Sequence, residues 1–111
     1  MFIITQKPTF AWPVKFEIPG DARAIRCEFV AEFKRIPQNR IDELTTGADP
    51  VSDEALLDEV MVGWRDVKDE QGNDVEFNAA NRRQLLAIPG TRRAIVLAFL
   101  EAITGVAKLK N

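Results

Sequence analysis

Between Thr9 and Lys34 the apolar residues fall on every second position, twice over. Phe10, Trp12, Val14, Phe16 and Ile18 alternate with Thr9, Ala11, Pro13, Lys15 and Glu17. Beyond Pro19-Gly20-Asp21, Ile25, Cys27, Phe29, Ala31 and Phe33 alternate with Arg26, Glu28, Val30, Glu32 and Lys34. A period of two turns one face of each run towards a core, so both runs predict half-buried strands. The Pro-Gly-Asp step between them has turn chemistry, which makes the pair an antiparallel hairpin over about 10–34. Pro13 stands on the polar parity and removes one ladder donor, so the first strand lies at a sheet edge or carries a bulge there. A hairpin alone is marginal in water, and the cover for its aromatic face has to come from the chain downstream.

Downstream the period changes. Pro37 to about Thr46 reads as a short helix with Ile41 and Leu44 at i and i+3, closing at Gly47. The next helix starts either with Asp49 capping and Pro50 at the first helical position, or with Ser52 as the cap; Asp53 and Glu54 favour the positive end of its dipole. Leu56, Leu57, Val60 and Met61 form its buried stripe, so helices span about 37–62. Residues 63–77 then read as a hairpin-like clasp. Trp64 and Val67 on one side, and Val75 and Phe77 on the other, flank a charged loop built on Gly72-Asn73-Asp74, with both large rings returning to a common core. Asn78 is the expected cap of a helix to about Ile88, with Leu85, Leu86 and Ile88 apolar. Pro89-Gly90 interrupts it, and Thr91 caps a last helix from about Arg92 to Lys108 carrying Ile95, Val96, Phe99, Leu100 and Ile103. Ala94, Ala98 and Ala102 allow close approach, and Lys108 and Lys110 complement its terminal carbonyls. The expectation is one α+β domain over 1–111, an N-terminal antiparallel hairpin or small sheet packed against C-terminal helices.

Composition narrows the chemistry. The 111 residues, 12.5 kDa, are enough to bury about two-thirds of the unfolded chain's surface. There is no histidine and no tyrosine, and Cys27 is the single cysteine. Disulfide frameworks, Cys/His zinc clusters and histidine general catalysis are therefore excluded within one chain. No apolar run is long enough to span a membrane, and the first residues lack the charged-then-apolar order of a secretory signal, which places the chain in a reducing cytoplasm. The net charge of −2 hides a strong polarity. Residues 1–39 carry six bases and four acids, 40–77 three bases and twelve acids, and 78–111 six bases and one acid.

Several motifs invite chemistry and fail it. The acidic loop Asp66, Asp69, Glu70, Asp74 and Glu76 does not meet the calcium-loop register, since Lys68 and Gln71 fall where an acid and a glycine belong. Adjacent carboxylates such as Asp53/Glu54 and Asp58/Glu59 diverge by about 100° on a helix, so they do not converge on one reacting atom. Cys27 sits on the apolar parity with no base beside it. No catalytic, metal or cofactor-binding residue is assigned. Arg82, Arg83, Arg92 and Arg93 form the one basic cluster; at a pI of about 5.2 it argues weakly for nucleic acid. The same arginines, with Trp64, are the candidate partner-binding residues. The basic helices and the acidic middle pair either inside one chain or between copies in a homo-oligomer. The first strand's edge either accepts a partner strand or is covered by Phe2-Ile3-Ile4.

One likeness runs through these pieces. Val62-Gly63-Trp64-Arg65-Asp66-Val67, the acidic turn Asp69-Glu70-Gln71-Gly72-Asn73, Phe77-Asn78 and Leu85-Leu86-Ala87-Ile88-Pro89-Gly90 before a last helix resemble, in order and spacing, the C-terminal half of small tail assembly chaperones of long-tailed bacteriophages and prophages. The Pro-Gly hairpin with Phe29-Val30-Ala31-Glu32-Phe33-Lys34-Arg35 is similar to their N-terminal half, and the likeness spans roughly residues 10–104. The resemblance implies a non-catalytic role: many copies bind the long, helical tape measure protein, keep it soluble while the tail tube polymerises, and then leave. In some such families a frameshifted longer product recruits the tail tube protein. The rival readings are a structural tail-completion or connector component that stays in the particle, and a small nucleic-acid-binding regulator acting through the four arginines.

Overall fold

In the computed structural model, which describes residues 1–105, strand β1 (Thr9–Pro19) pairs antiparallel with β2 (Ala24–Lys34) in unbroken register from Thr9 opposite Lys34 to Pro19 opposite Ala24. The ladder is bracketed by the Arg35 N–H donating to Pro8 O at 2.9 Å and the Gly20 N–H donating to Arg23 O at 2.7 Å. Both bracketing pairs put an even-numbered residue of this hairpin arm in the bonded position. With the strict alternation of an antiparallel ladder, the odd residues of β1 then turn their backbone groups away from β2. Pro13 and Pro19 both stand on those outward positions, so the open edge of the sheet lacks two of the donors a foreign strand would need.

The expected parity holds on both strands. Val14, Phe29, Ala31 and Phe33 are buried, while Ala11, Lys15, Glu17, Arg26, Glu28 and Lys34 are exposed on the outer face. A third strand completes the sheet in the order β1-β2-β3. It is Met61–Arg65 (β3), antiparallel to β2, with Ala31 opposite Trp64 and a bulge between Glu32 and Phe33 that leaves Val62 unmatched. This corrects the helical reading of Met61 and Val62. The β-branched and aromatic run from Val60 to Trp64 leaves the helix at Val60 and continues as extended chain, so Met61 reaches the core from the sheet.

The helices are short except the last. They are α1 (Gln38–Thr45), α2 (Asp53–Val60), α3 (Ala79–Leu86) and α4 (Thr91–Thr104). Of the two starts open to α2, Ser52 is the one used, its Oγ accepting from the Ala55 N–H at 3.2 Å. Asn78 Oδ1 accepts from the Asn81 N–H at 2.8 Å, the cap expected for α3. Thr91 does not cap α4: the N-cap is Gly90, at φ 92° in the left-handed region, and Thr91 is wholly buried inside the first turn. Its hydroxyl lies 2.8 Å from Leu85 O and 2.9 Å from Ile88 O, so it satisfies the open end of α3 and ties the two helices together. The expected extension of α4 to Lys108, with Lys108 and Lys110 beyond its end, lies outside the described residues.

One apolar cluster joins the inner sheet face to α2, α3 and α4. Its centre is aromatic: Phe33 lies 5.6 Å from Phe10 and 5.2 Å from Phe99, centroid to centroid. The clasp forms as a chain reversal beside it. The Val75 N–H donates to Val67 O at 2.8 Å and the Asp69 N–H to Asn73 O at 2.9 Å, with Lys68 and Asp74 bridged across the loop and ion-paired. Asp66, at φ 64°, turns the chain out of β3 into it. Trp64 and Phe77 meet edge to face at 4.9 Å.

Across the molecule α1 is tied to α2 by Arg40, whose Nε and Nη2 donate to the two carboxylate oxygens of Glu59 at 2.8 and 2.6 Å. That fork holds the Glu59 carboxyl below the usual glutamate range and raises the Arg40 guanidinium in turn. A carboxylate with a depressed folded-state pKa stabilises above its unfolded value and loses that contribution as pH falls through the folded one. Wild type is therefore expected to melt above Glu59→Gln at neutral pH, the gap closing as pH drops below about 4.3, the unfolded glutamate value. A gap that is constant from pH 7 to pH 2.5 contradicts this.

Candidate functional site

Helix α4 crosses the inner face of β1 unevenly. Val14 is completely covered, yet Trp12 and Phe16 on either side of it on the same face are only half-buried. The helix buries Ile95, Val96, Ala98 and Phe99 and leaves Leu97 exposed at 46%. These leftovers face one another. Trp12 and Phe16 from β1, with Ala94, Leu97 and Ala98 from α4, line an open groove of about 660 Å³, and Lys15, Glu17, Arg93 and Glu101 stand at its rim. The helix contributes through the spacing 93/94, 97/98 and 101, one stripe along its side, where the two alanines keep the groove deep. Phe16 is braced from behind by Phe29, edge-on at 6.1 Å. The same lack of cover at this end leaves Cys27 half-buried instead of enclosed, and Ile25 exposed.

The groove has an apolar floor and charges of both signs along its edges. That is the complement of an amphipathic helix, which buries one stripe and lines the seam with acids and bases. Six residues of β1 and three turns of α4 give it a length of about 16–20 Å, room for about three helical turns of a guest.

The sequence-selected residues are distributed differently. Trp64, 9% exposed, is a core residue whose indole N–H donates to Val75 O at 2.7 Å. One edge of its ring floors a second, more polar cleft of about 500 Å³, which Val67, Val75, Leu85 and Ile88 also line. Arg82 pairs with Asp58 at 2.7 Å and Arg93 with Asp53 at 3.4 Å, so the acidic middle and the basic helices meet inside one chain at these two points. Arg83 and Arg92 are exposed and make no ion pair among the described residues. Only Arg93 belongs to the groove. Sequence pattern alone passed over Leu97, because it lies off the buried stripe of α4; the signal it did carry is a large aliphatic residue on a face otherwise occupied by Arg93 and Glu101.

Phe2, Ile3 and Ile4 are exposed and lie outside the strands, so they do not cover the β1 edge. Among the described residues no group of three or more Cys, Asp or Glu side chains is placed to hold a metal ion, and no helix is long and apolar enough to cross a membrane.

Fold and groove together make a small α+β domain with an open, apolar-floored groove between β1 and α4. The chain belongs to the phage tail assembly chaperone family: the sequence profile of that family matches residues 1–111, the whole chain. No curated protein and no solved structure matches it.

Proposed function

We propose that this chaperone binds the tape measure protein and keeps it soluble during tail tube assembly, and that the groove between β1 and α4 is where it does so. The observation that carries the reading is the pairing of Trp12 and Phe16 with Leu97 across an apolar floor rimmed by Lys15, Glu17, Arg93 and Glu101. An amphipathic helical segment of the client lays its apolar stripe on that floor and meets the rim with its flanking charges. Each copy covers about three turns, so a long client takes many copies. Modest affinity per site lets them leave when tube subunits replace them, while repeated sites hold the client as a whole. No step needs a reacting group: binding alone hides the stripe that would otherwise aggregate.

Co-expression with the tape measure protein of the same phage tests the function directly. The client is expected in the soluble fraction with this chain and in the pellet without it. Equal solubility in both cases removes the proposal.

A further inference from the structure

Ahead of β1 the segment Met1-Phe2-Ile3-Ile4 carries four large apolar residues in a row, all exposed; Phe2 and Ile4 are 81% and 86% accessible. A contiguous apolar run on a surface marks an interaction site, and this one has no charged side chain before Lys7. It departs at the Phe10 end of the sheet, where Gln6 lies beside Phe10, Phe99 and Ile103 near the end of α4. The Trp12/Phe16/Leu97 groove lies towards the other end, where α4 begins at Thr91.

The segment reaches only part of the groove of its own chain. At about 3.4 Å per residue, Trp12 is about 14 Å and Phe16 about 27 Å from Pro8 along β1, whereas Ile4, folded back from Pro8, reaches at most about 14 Å and Phe2 about 20 Å, so the segment meets the Trp12 end and stops short of Phe16. Pairing along the β1 edge is opposed by Pro13 on its outward position. The segment of a second copy is free of the limit on reach and enters the groove without pairing along that edge. We infer that Met1–Ile4 of one copy docks in the Trp12/Phe16/Leu97 groove of another, capping it until a client helix arrives.

Three features specify this occupant. The segment has no charged side chain and is rich in Phe and Ile, matching a floor of Trp, Phe, Leu and Ala; the first charged side chain behind it, Lys7, has Glu17 and Glu101 as rim counterparts. Donor and acceptor lie towards opposite ends of the same chain, so a single contact leaves a free segment on one copy and a free groove on the other, to which further copies add. The groove's length takes about five extended residues, room for the four of the segment. That capping competes with the client rests on the function proposed above; the docking itself rests on the geometry alone.

The test uses two full-length variants altered only at exposed positions: a donor-dead chain, Phe2→Ser with Ile3→Ser and Ile4→Ser, and an acceptor-dead chain, Leu97→Glu. By light scattering after gel filtration, wild type is expected to rise above 12.5 kDa with concentration, and each variant to stay monomeric with an unchanged melting curve. Mixing the two restores one donor and one acceptor, and is expected to give a capped 1:1 dimer of twice the monomer mass that grows no further. A wild type that is monomeric up to about 1 mM, association that survives in either variant, or a mixture that stays monomeric overturns the docking. At a concentration where half the wild-type grooves are capped, the donor-dead chain is expected to bind a tape measure segment with about twofold lower apparent Kd. Association that behaves as expected with no client binding by any chain sinks the proposed function and leaves the docking; client binding with monomeric wild type does the reverse.

Discussion

Trp64→Ala is expected to cost about 3–5 kcal/mol, the largest stability loss of any single substitution proposed for this chain. Three contributions disappear together. The indole fills space between β3 and the clasp at 9% exposure, so truncation leaves a cavity that neither the strand pairing at Ala31 nor the closed 67–75 reversal can collapse into. Its N–H is the donor to Val75 O at 2.7 Å, and that carbonyl loses its partner. Its edge-to-face contact with Phe77 at 4.9 Å, worth about 1 kcal/mol in such pairs, goes as well. Since a domain of this size is stable by about 5–15 kcal/mol in total, the loss is a large share. The midpoint of thermal unfolding should fall by at least about 10 °C. Trp64→Phe keeps most of the volume and should retain more than half of the lost stability. If Trp64→Ala instead melts like wild type and fails to bind client, Trp64 is a contact residue and the packing account of the clasp is wrong.

Leu97→Glu is expected to act in the opposite sense, leaving stability within about 0.5 kcal/mol and removing client binding. Leu97 is 46% exposed, so the new carboxylate in the free protein stays in water. In the complex it would have to enter an apolar floor between Trp12, Phe16 and Ala94. Loss of the leucine's transfer energy together with desolvation of the charge gives about 2–3 kcal/mol, or about 30- to 150-fold in Kd for one helical segment. On a client holding many copies the effect multiplies, so co-expressed client should return to the pellet. Leu97→Met, which keeps the apolar surface, should bind within about threefold of wild type.

The two substitutions divide the molecule along the line where sequence reasoning succeeded and where it stopped. Local rules carried the hairpin, because strand parity from Phe10 to Phe33 is a period-two signal that needs no knowledge of the rest of the chain. They carried the cap at Asn78 and the reversal around Gly72 for the same reason, and narrowed the start of α2 to two choices, of which Ser52 is the one used. Strand β3 was legible only in part. Gly63 and Trp64 read as the extended start of the clasp, but Met61 and Val62 prolong the apolar run of α2, and only the vacant side of β2 decides that they join the strand. Thr91 shows the same limit at smaller scale, since a threonine after Pro-Gly reads as a cap until the open carbonyls of α3 are found within reach of its hydroxyl.

The groove was hidden for a related reason. Alternation says that Trp12, Val14 and Phe16 share a face, but not that α4 covers Val14 and leaves its neighbours half open. Charge posed a similar question. The sequence left open whether the basic helices meet the acidic middle inside one chain or between copies; Arg82 and Arg93 are engaged with Asp58 and Asp53 of the same chain across about 24 and 40 residues of sequence, separations that no local pattern registers. The clasp motif that carries the family likeness proved to be a packing element, and the binding surface argued here lies on the other side of the core.

The two tryptophans make the decisive measurement simple. With Trp64→Phe in place, Trp12 is the single tryptophan and stands in the groove wall. Titration with a helical segment of the tape measure protein free of tryptophan should shift its emission to the blue and saturate at one segment per chain, and Leu97→Glu in the same background should abolish the shift. A segment that binds, by calorimetry, while Trp12 emission stays unchanged would place the client elsewhere and contradict the account.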